Sequence, residues 1–506
     1  MSLVGARDGV AIVDANGVLS WAEVDDLLNR AVHALLAADL GPRRRVAVFA
    51  ENSTETALAH VAGLLAGAST VPVNFHLTAD EAAYILSDSG ARLLFVGPEN
   101  LEVGAKAAAQ AGLSTVVAWR APARPSHGIV AWEEWLAAAD PSEPPTDLSP
   151  RPSLMYTSGT TGRPKGVEQP PAMFPGGASM AEHVERLREN RFAELGMHLV
   201  AGPLYHTGPL SAVRLLACGV PLSMPARFDA EAILAAIERD RVETSVMVPT
   251  HFARLLALPA EIKTRYDVSS VRLVAHTGSA CPAEVKRAMI DWWGPIFVEA
   301  YGATEVGTVC QITSEEWLER PGSVGRCVPE FQALVVDDTG APQPHGTEGR
   351  LYFRDRTGRG IVYHNDPEKS AAAHLAPGVF TLGEIGYVDE VGYVFVTDRF
   401  SDMVVSGGVN LYPAEAEAVL MQHPKVADVA VIGVPHEEMG EELKALVVAV
   451  DPADPPAETD VIIFCRERLT AMKCPRTVEI IDTVGRTAMG KVDKRALRAP
   501  YWERTA

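Results

Sequence analysis

Between Ser20 and Glu299 short apolar runs alternate with amphipathic helical patterns, and this alternation restricts the fold more than any other feature. Ser20-Trp21-Ala22-Glu23 has the form of a capping box, with Ser20 capping and Glu23 reaching back; Leu27, Leu28, Val32, Leu35 and Leu36 then recur at helical spacing until Gly41-Pro42. Strand patterns follow at 46–50, 70–73 and 92–96, separated by helical patterns at 54–67 and 80–87. The rhythm resumes with strands at 198–202, 245–248, 271–275 and 296–299. Apolar strands joined through helices run parallel with crossover connections. The expected class is α/β, with a large N-terminal domain of mixed, mostly parallel sheets.

Two segments interrupt this rhythm, 121–126 and 141–152, the second with five prolines, and both are expected to be exposed connections. No internal repeat is apparent. From Leu334 the pattern changes to short strands at 333–336, 349–353, 386–389 and 392–396, a β-rich portion of the same domain. After Arg399 helices and strands alternate again, with apolar strands at 429–434 and 446–450, as in a small α+β domain. The division expected is residues 1–400 and 401–506, the second part mobile.

A chain of 506 residues exceeds a single core, and 47% hydrophobic with 22% charged residues is an ordinary globular composition. No apolar run has the length of a membrane helix, and residues 1–9 lack the basic-then-apolar order of a signal peptide, so a soluble cytoplasmic protein is expected. The six cysteines include no CxxC pair, which points to neither a disulfide framework nor a zinc site. A net charge of -20 argues against nucleic acid and anionic membranes as partners. Any nucleotide must be held by local donors and cations. Homodimer formation is left open.

Tyr156-Thr157-Ser158-Gly159-Thr160-Thr161-Gly162-Arg163-Pro164-Lys165-Gly166-Val167 supplies those donors. Its hydroxyls are short hydrogen-bond donors, its glycines admit close backbone approach, and Lys165 adds charge, together describing a phosphate-holding loop. Lys165 is followed by glycine, so this is not a Walker A loop, which needs Ser or Thr there. The run resembles the signature loop of the adenylate-forming superfamily, which includes acyl-CoA synthetases, peptide-synthetase adenylation domains and luciferases. The resemblance assigns Thr157, Ser158, Gly159, Thr160, Thr161 and Lys165 to ATP.

The remaining motifs follow in that family's order from about Ser20 to Arg498. Tyr301-Gly302-Ala303-Thr304-Glu305 comes after a strand, where α/β sheets place ligands. An aromatic ring can stack on adenine, a threonine can donate to phosphate and a carboxylate can hold Mg²⁺. The resemblance gives Tyr301, Thr304 and Glu305 these roles and adds Glu299, Ala300 and Gly302 to the nucleotide site. The resemblance also implies that Tyr205 and His206, in Pro203-Leu204-Tyr205-His206-Thr207-Gly208, border the carboxylate pocket, with Val248, His276, Gly302 and Ala303 as further acyl-pocket residues. His276-Thr277-Gly278-Ser279-Ala280 resembles the loop along the adenine, contributed by Gly278, Ser279 and Ala280; by itself His276 reads equally as a core histidine. Thr381-Leu382-Gly383-Glu384 departs from the family's Thr-Gly-Asp, Glu384 being one methylene longer than the aspartate that accepts the ribose hydroxyls. Arg399 would bind ribose or phosphate, Ser401 stands at the hinge, and Ser406, Gly407 and Gly408 would let the pantetheine of CoA pass. In Arg486-Thr487-Ala488-Met489-Gly490-Lys491-Val492 the resemblance makes Lys491 the catalytic lysine.

The resemblance therefore implies an AMP-forming acyl-CoA synthetase using ATP, Mg²⁺ and CoA, in which Lys491, Thr304, Glu305 and His206 serve catalysis and a carboxylic acid is the small-molecule partner. Three rivals are weighed against it. An amino-acid adenylation module with a carrier-protein acceptor would need an acid near 204–210, where there is none, and no carrier domain is expected after Ala506. A fatty acyl-AMP ligase usually carries an insertion for which this chain has no room. A catalytically silent nucleotide sensor would have no use for Lys491. The stretches 205–210, 246–252, 276–280 and 302–307 are largely apolar with no obvious cation, so an apolar acid is expected, whether fatty, aromatic or alicyclic.

Overall fold

A computed structural model of the chain describes residues 7–121, 128–157, 164–337, 339–399, 402–406, 409–436, 439–469, 471–487 and 490–502. The first helix is Trp21–Ala37, and its capping box forms: Ser20 Oγ accepts from the Glu23 amide at 3.3 Å, and the Glu23 carboxylate accepts from the Ser20 amide at 2.8 Å. Its apolar stripe, Trp21, Val24, Leu28, Val32 and Leu35, is buried in the core of the first part of the chain.

The expected strand–helix alternation produces two separate sheets. Ser69–Val73, Arg45–Phe49, Leu93–Val96, Thr115–Ala118 and Ile129–Ala131, in that lateral order, make an all-parallel sheet. Arg45–Phe49 is buried at every position, as a parallel strand covered on both faces must be. Leu222–Met224, His198–Leu199, Thr244–Met247, Leu273–His276 and Phe297–Ala303 are neighbours in a second, fifteen-stranded sheet and also run parallel. Beyond Phe297–Ala303 the pairing becomes antiparallel, through Gly307–Thr313, Ser323–Cys327, Tyr393–Arg399, Glu384–Val388 and Gly349–Asp355. The motif 301–305 therefore lies where the sheet changes from parallel to antiparallel.

The strand expected at 198–202 stops at Leu199. The Asn52 side chain takes over the next backbone groups, donating to Gly202 O and accepting from the Leu204 amide, each at 2.9 Å. This bridge between the two sheets fixes the entry to Tyr205 and His206. Residues 141–152 carry no helix or strand, as their prolines require, whereas 122–126 fall outside the described residues.

Between Arg399 and Val404 the chain leaves the large sheet. Val404–Ser406, Val409–Leu411, Val426–His436, Gly440–Ala449 and Thr477–Ile480 build a separate sheet packed by the helices Pro413–Leu420 and Glu458–Arg466, with a core that includes Leu420, Val429, Val431, Val447 and Val461. Among the described residues no helix is long and apolar enough to cross a membrane.

Candidate active site

Thr157 and Lys165 end and begin the two strands of a hairpin, Leu154–Thr157 and Lys165–Glu168, and are partners in its register. Both ends of the signature loop are thereby fixed; Ser158, Gly159, Thr160 and Thr161 lie outside the described residues. The Thr157 hydroxyl donates to Glu305 Oε1 at 3.2 Å, joining the loop to the turn after Phe297–Ala303. The Tyr363 hydroxyl also meets Glu305; burial, with Glu305 beside it, holds that phenol protonated. Thr304 and Thr207 share a hydroxyl–hydroxyl bond of 3.1 Å.

Tyr301 lies on the same strand, and its hydroxyl donates to Glu384 Oε2 at 2.8 Å. Glu384 is buried and stands opposite Arg399 in the register of the Glu384–Val388 and Tyr393–Arg399 strands. Gly302 has no room for a side chain, because a Cβ there would meet the Gly307 carbonyl. Two signature positions, Tyr301 and Glu384, are thus connected directly, despite the longer acid.

Side-chain parity divides this part of the sheet between its two faces. Val246, Ala275 and Val298 are lateral partners and share one face. The helix Thr207–Val213 packs there, a Cβ on Gly208 coming within 3.1 Å of Val246 Cγ1. His206 precedes that helix, with its ring 4.2 Å from that of Tyr205. Met247, His276 and Glu299 are lateral partners on the opposite face. His276 is fully buried there, its ring 5.3 Å from Phe252, with neither ring nitrogen hydrogen-bonded and Nε2 3.8 Å from Glu299 Oε2. Lys286 Nζ meets the same oxygen at 2.6 Å. Burial drives His276 well down, so it is neutral, and drives Glu299 up against the opposing pull of Lys286. His276 is the residue that the resemblance places at the acyl pocket. The strand sends its side chain into the layer of Pro249–Leu256 and Ala283–Trp293, and the Glu299 carboxylate goes with it. Val248 is buried at the start of Pro249–Leu256. Gly278, at φ +96°, turns the chain into Ser279 and Ala280.

The C-terminal turn reaches this site. Gly490 has φ +74°, and a Cβ on it would strike Thr250 Oγ1 and lie 3.7 Å from Ser279 Oγ. Lys491 comes close enough to His206 to add to the effect of burial, which lowers that histidine to about 4 and leaves it neutral at pH 7. Arg486 shapes the turn, binding both oxygens of Asp428 at 2.7 Å and donating to Gly490 O at 2.8 Å. The Lys491 amide donates to Thr487 Oγ1 at 3.1 Å. Ser406 is a buried strand end, while Ser401, Gly407 and Gly408 fall outside the described residues.

Among the described residues no group of three or more His, Cys, Asp or Glu could cage a metal. One carboxylate beside a hydroxyl, as at Glu305 and Thr157, fits Mg²⁺ held chiefly by water and substrate phosphates. Sequence reasoning passed over Tyr363, Asp366 and Lys369. Asp366-Pro367, a helix cap followed by proline at the first helical position, was the available signal.

Comparison with known proteins defines the class. Residues 4–360 match the family described as AMP-binding enzyme, and 415–491 match the AMP-binding enzyme C-terminal domain; the chain belongs to this family. It is 35% identical to a feruloyl-CoA synthase of an Amycolatopsis species over 97% of this chain and 96% of the relative. It is 33% identical to the 3-[(3aS,4S,7aS)-7a-methyl-1,5-dioxo-octahydro-1H-inden-4-yl]propanoyl:CoA ligase of Mycobacterium tuberculosis, over 97% and 96%. The ATP-bound MatB of Rhodopseudomonas palustris has a similar structure, with a TM-score of 0.82 at 28% identity, covering 100% of this chain and 99% of that one. Within the family its activity is that of an ATP-dependent acyl-CoA ligase, an acid–thiol ligase that forms AMP.

Proposed function

We propose that the chain activates an apolar, ring-bearing carboxylic acid in the cytoplasm, first as its acyl adenylate and then as its thioester with CoA. The observation that carries this reading is the docking of the C-terminal turn, with Gly490 against Thr250 and Ser279 and Lys491 near enough for its charge to act on His206. It brings a cation from the C-terminal domain to the face where an acid would be held.

Attack of a carboxylate on the α-phosphate brings two anions together, so the catalyst must supply positive charge and alignment. Lys491 offers its ammonium to the carboxylate and the α-phosphate. His206, neutral, adds no competing charge and packs against the acyl group with Tyr205. Thr157 and Thr304 donate to phosphate oxygens, joined by the loop donors Ser158, Thr160 and Thr161 and by Lys165. Tyr301 stacks on adenine, with Gly278, Ser279 and Ala280 along its edge, and Glu384 with Arg399 holds the ribose. Glu305 would hold Mg²⁺, which when bound neutralises charge on the phosphates. The C-terminal domain then turns about the hinge at Ser401, withdrawing Lys491 and bringing Ser406, Gly407 and Gly408 to pantetheine.

Val246, Ala275 and Val298 offer an apolar face with no cation for a second carboxylate; Lys286 lies behind the sheet, paired to Glu299. The feruloyl and indanyl-propanoyl names of the two relatives support a ring on the acid. A panel of carboxylic acids scored by AMP release tests this. Aryl-propenoic or bicyclic propanoic acids should be turned over faster than straight-chain acids, and preference for a linear fatty acid would contradict the ring.

A further inference from the structure

Tyr363 is flanked by two ammonium groups. Lys369 Nζ lies 4.7 Å and Lys165 Nζ 5.9 Å from the centre of its ring. Asp366 serves both lysines: its carboxylate is 3.7 Å from Lys165 Nζ and caps the helix Pro367–Ala372 by accepting from the Lys369 amide at 3.0 Å. Lys165 is well covered, its side chain only 15% exposed, and Lys369 is partly buried. The Tyr363 hydroxyl meets Glu305, which also accepts from Thr157. Two cations held side by side repel each other, and the two nearby carboxylates, Asp366 engaged as a helix cap and Glu305 by Thr157 and Tyr363, do not fully compensate them. An anion with several oxygens spread over two phosphorus atoms would.

We propose that Lys369 is a second diphosphate-binding cation, gripping with Lys165 the β- and γ-phosphates of ATP and the pyrophosphate that leaves. This rests on the adenylate-forming reading above. In that step a carboxylate oxygen bonds to the α-phosphorus, and the bond from that phosphorus to the bridging oxygen breaks. The electron pair departs on pyrophosphate, so negative charge collects where the two lysines converge. Lys165 comes from the signature hairpin and Lys369 from the helix after Asp366, so the clamp closes from two elements of the N-terminal domain.

Burial, with Lys165 close by, brings Lys369 down to about 8. The charged groups that face it are Lys165 on the hairpin, Asp366 at the head of its own helix and Glu305 on the turn after Phe297–Ala303. A bound diphosphate opposes both causes, raising the lysine's proton affinity, so binding takes up a proton near pH 8. Diphosphate affinity should then fall as pH rises through 8.

The test is the reverse reaction, ATP formation from presynthesised acyl adenylate and pyrophosphate. Lys369→Ala should raise the KM for pyrophosphate about tenfold, the loss of one charge-assisted contact. Lys369→Arg should restore most of it and abolish the weakening near pH 8. Thioester formation from acyl adenylate and CoA, which involves no pyrophosphate, should stay at the wild-type rate in both variants. A Lys369→Ala enzyme with an unchanged KM for pyrophosphate overturns the assignment, as does equal loss in the thioester step, which would mark a structural role. Wild-type enzyme that releases no acid-dependent pyrophosphate would overturn the adenylation reading, and the clamp with it.

Discussion

The site's lysines stand on two different supports. Lys165 and Lys369 belong to the N-terminal domain, one at a strand end in a hairpin and the other on a helix capped by Asp366. Lys491 ends a turn shaped from within the C-terminal domain, by the Arg486–Asp428 pair and by bonds among Arg486, Thr487, Gly490 and Lys491. A fixed cluster suits an anion that must be held through a bond-breaking step. A turn that keeps its shape by itself can be presented and withdrawn whole. On the reading proposed above, the difference means that pyrophosphate and carboxylate are managed by separable parts: changes in the Gly490–Lys491 turn should damage one half-reaction without the other, whereas a loss of the N-terminal fold should damage both.

The largest effect should come from the fixed side. Lys286→Ala leaves the Glu299 carboxylate buried without its cation, and should destabilise the N-terminal domain by about 3–5 kcal/mol. Thermal unfolding measures this, and both half-reactions should fall together as the folded fraction is lost. An unchanged melting temperature would mean that the pair is dispensable.

Gly490→Ala is aimed at the docked turn alone. A Cβ there would meet Thr250 only in the docked form, so docking should weaken by roughly 1–2 kcal/mol. Adenylation should slow by about tenfold while thioester formation from presynthesised acyl adenylate is retained. Equal slowing of both would show that the turn is rigidly part of the whole.

The smallest effect is one of pH. His206 has its proton affinity lowered in the docked form, mainly by burial and further by Lys491. Only the smaller part of that lowering, due to Lys491, is lost when the turn withdraws, so the docked form binds slightly fewer protons than the undocked one. Docking is fully favourable above the ordinary histidine value near 6.5, and weakens as pH falls from there towards about 4. Adenylation should lose less than about tenfold over that window, with the thioester step flatter; His206→Gln should remove the difference.

Much of this arrangement was legible in the chain. The Ser20–Glu23 box, the strand–helix rhythm and the proline-rich 141–152 connection are local signals, and local chemistry decides them. That one rhythm builds two sheets is not local, because neighbouring strands in a parallel sheet are chosen by packing. The face of His276 was hidden for another reason. Strands buried on both sides read as continuous apolar runs, so the two-residue period that would reveal which side chains share a face leaves no trace. Lys369 escaped because its meaning depends on Lys165, far away in sequence, and a lone lysine after Asp-Pro reads as solvated surface. Lys491 is singled out by its motif alone, whereas its approach to His206 depends on the packing of the Gly490 turn on Thr250.

The central claim is that Lys491 serves one half-reaction and leaves for the other, and Lys491→Ala tests it in two assays on one preparation. Acid-dependent pyrophosphate release should fall by on the order of 10²–10³, as for loss of a group that stabilises charge in the transition state. The same protein, given presynthesised acyl adenylate and CoA, should form thioester at close to the wild-type rate. If the second rate falls as far as the first, Lys491 is structural or the domain does not turn, and the account is contradicted.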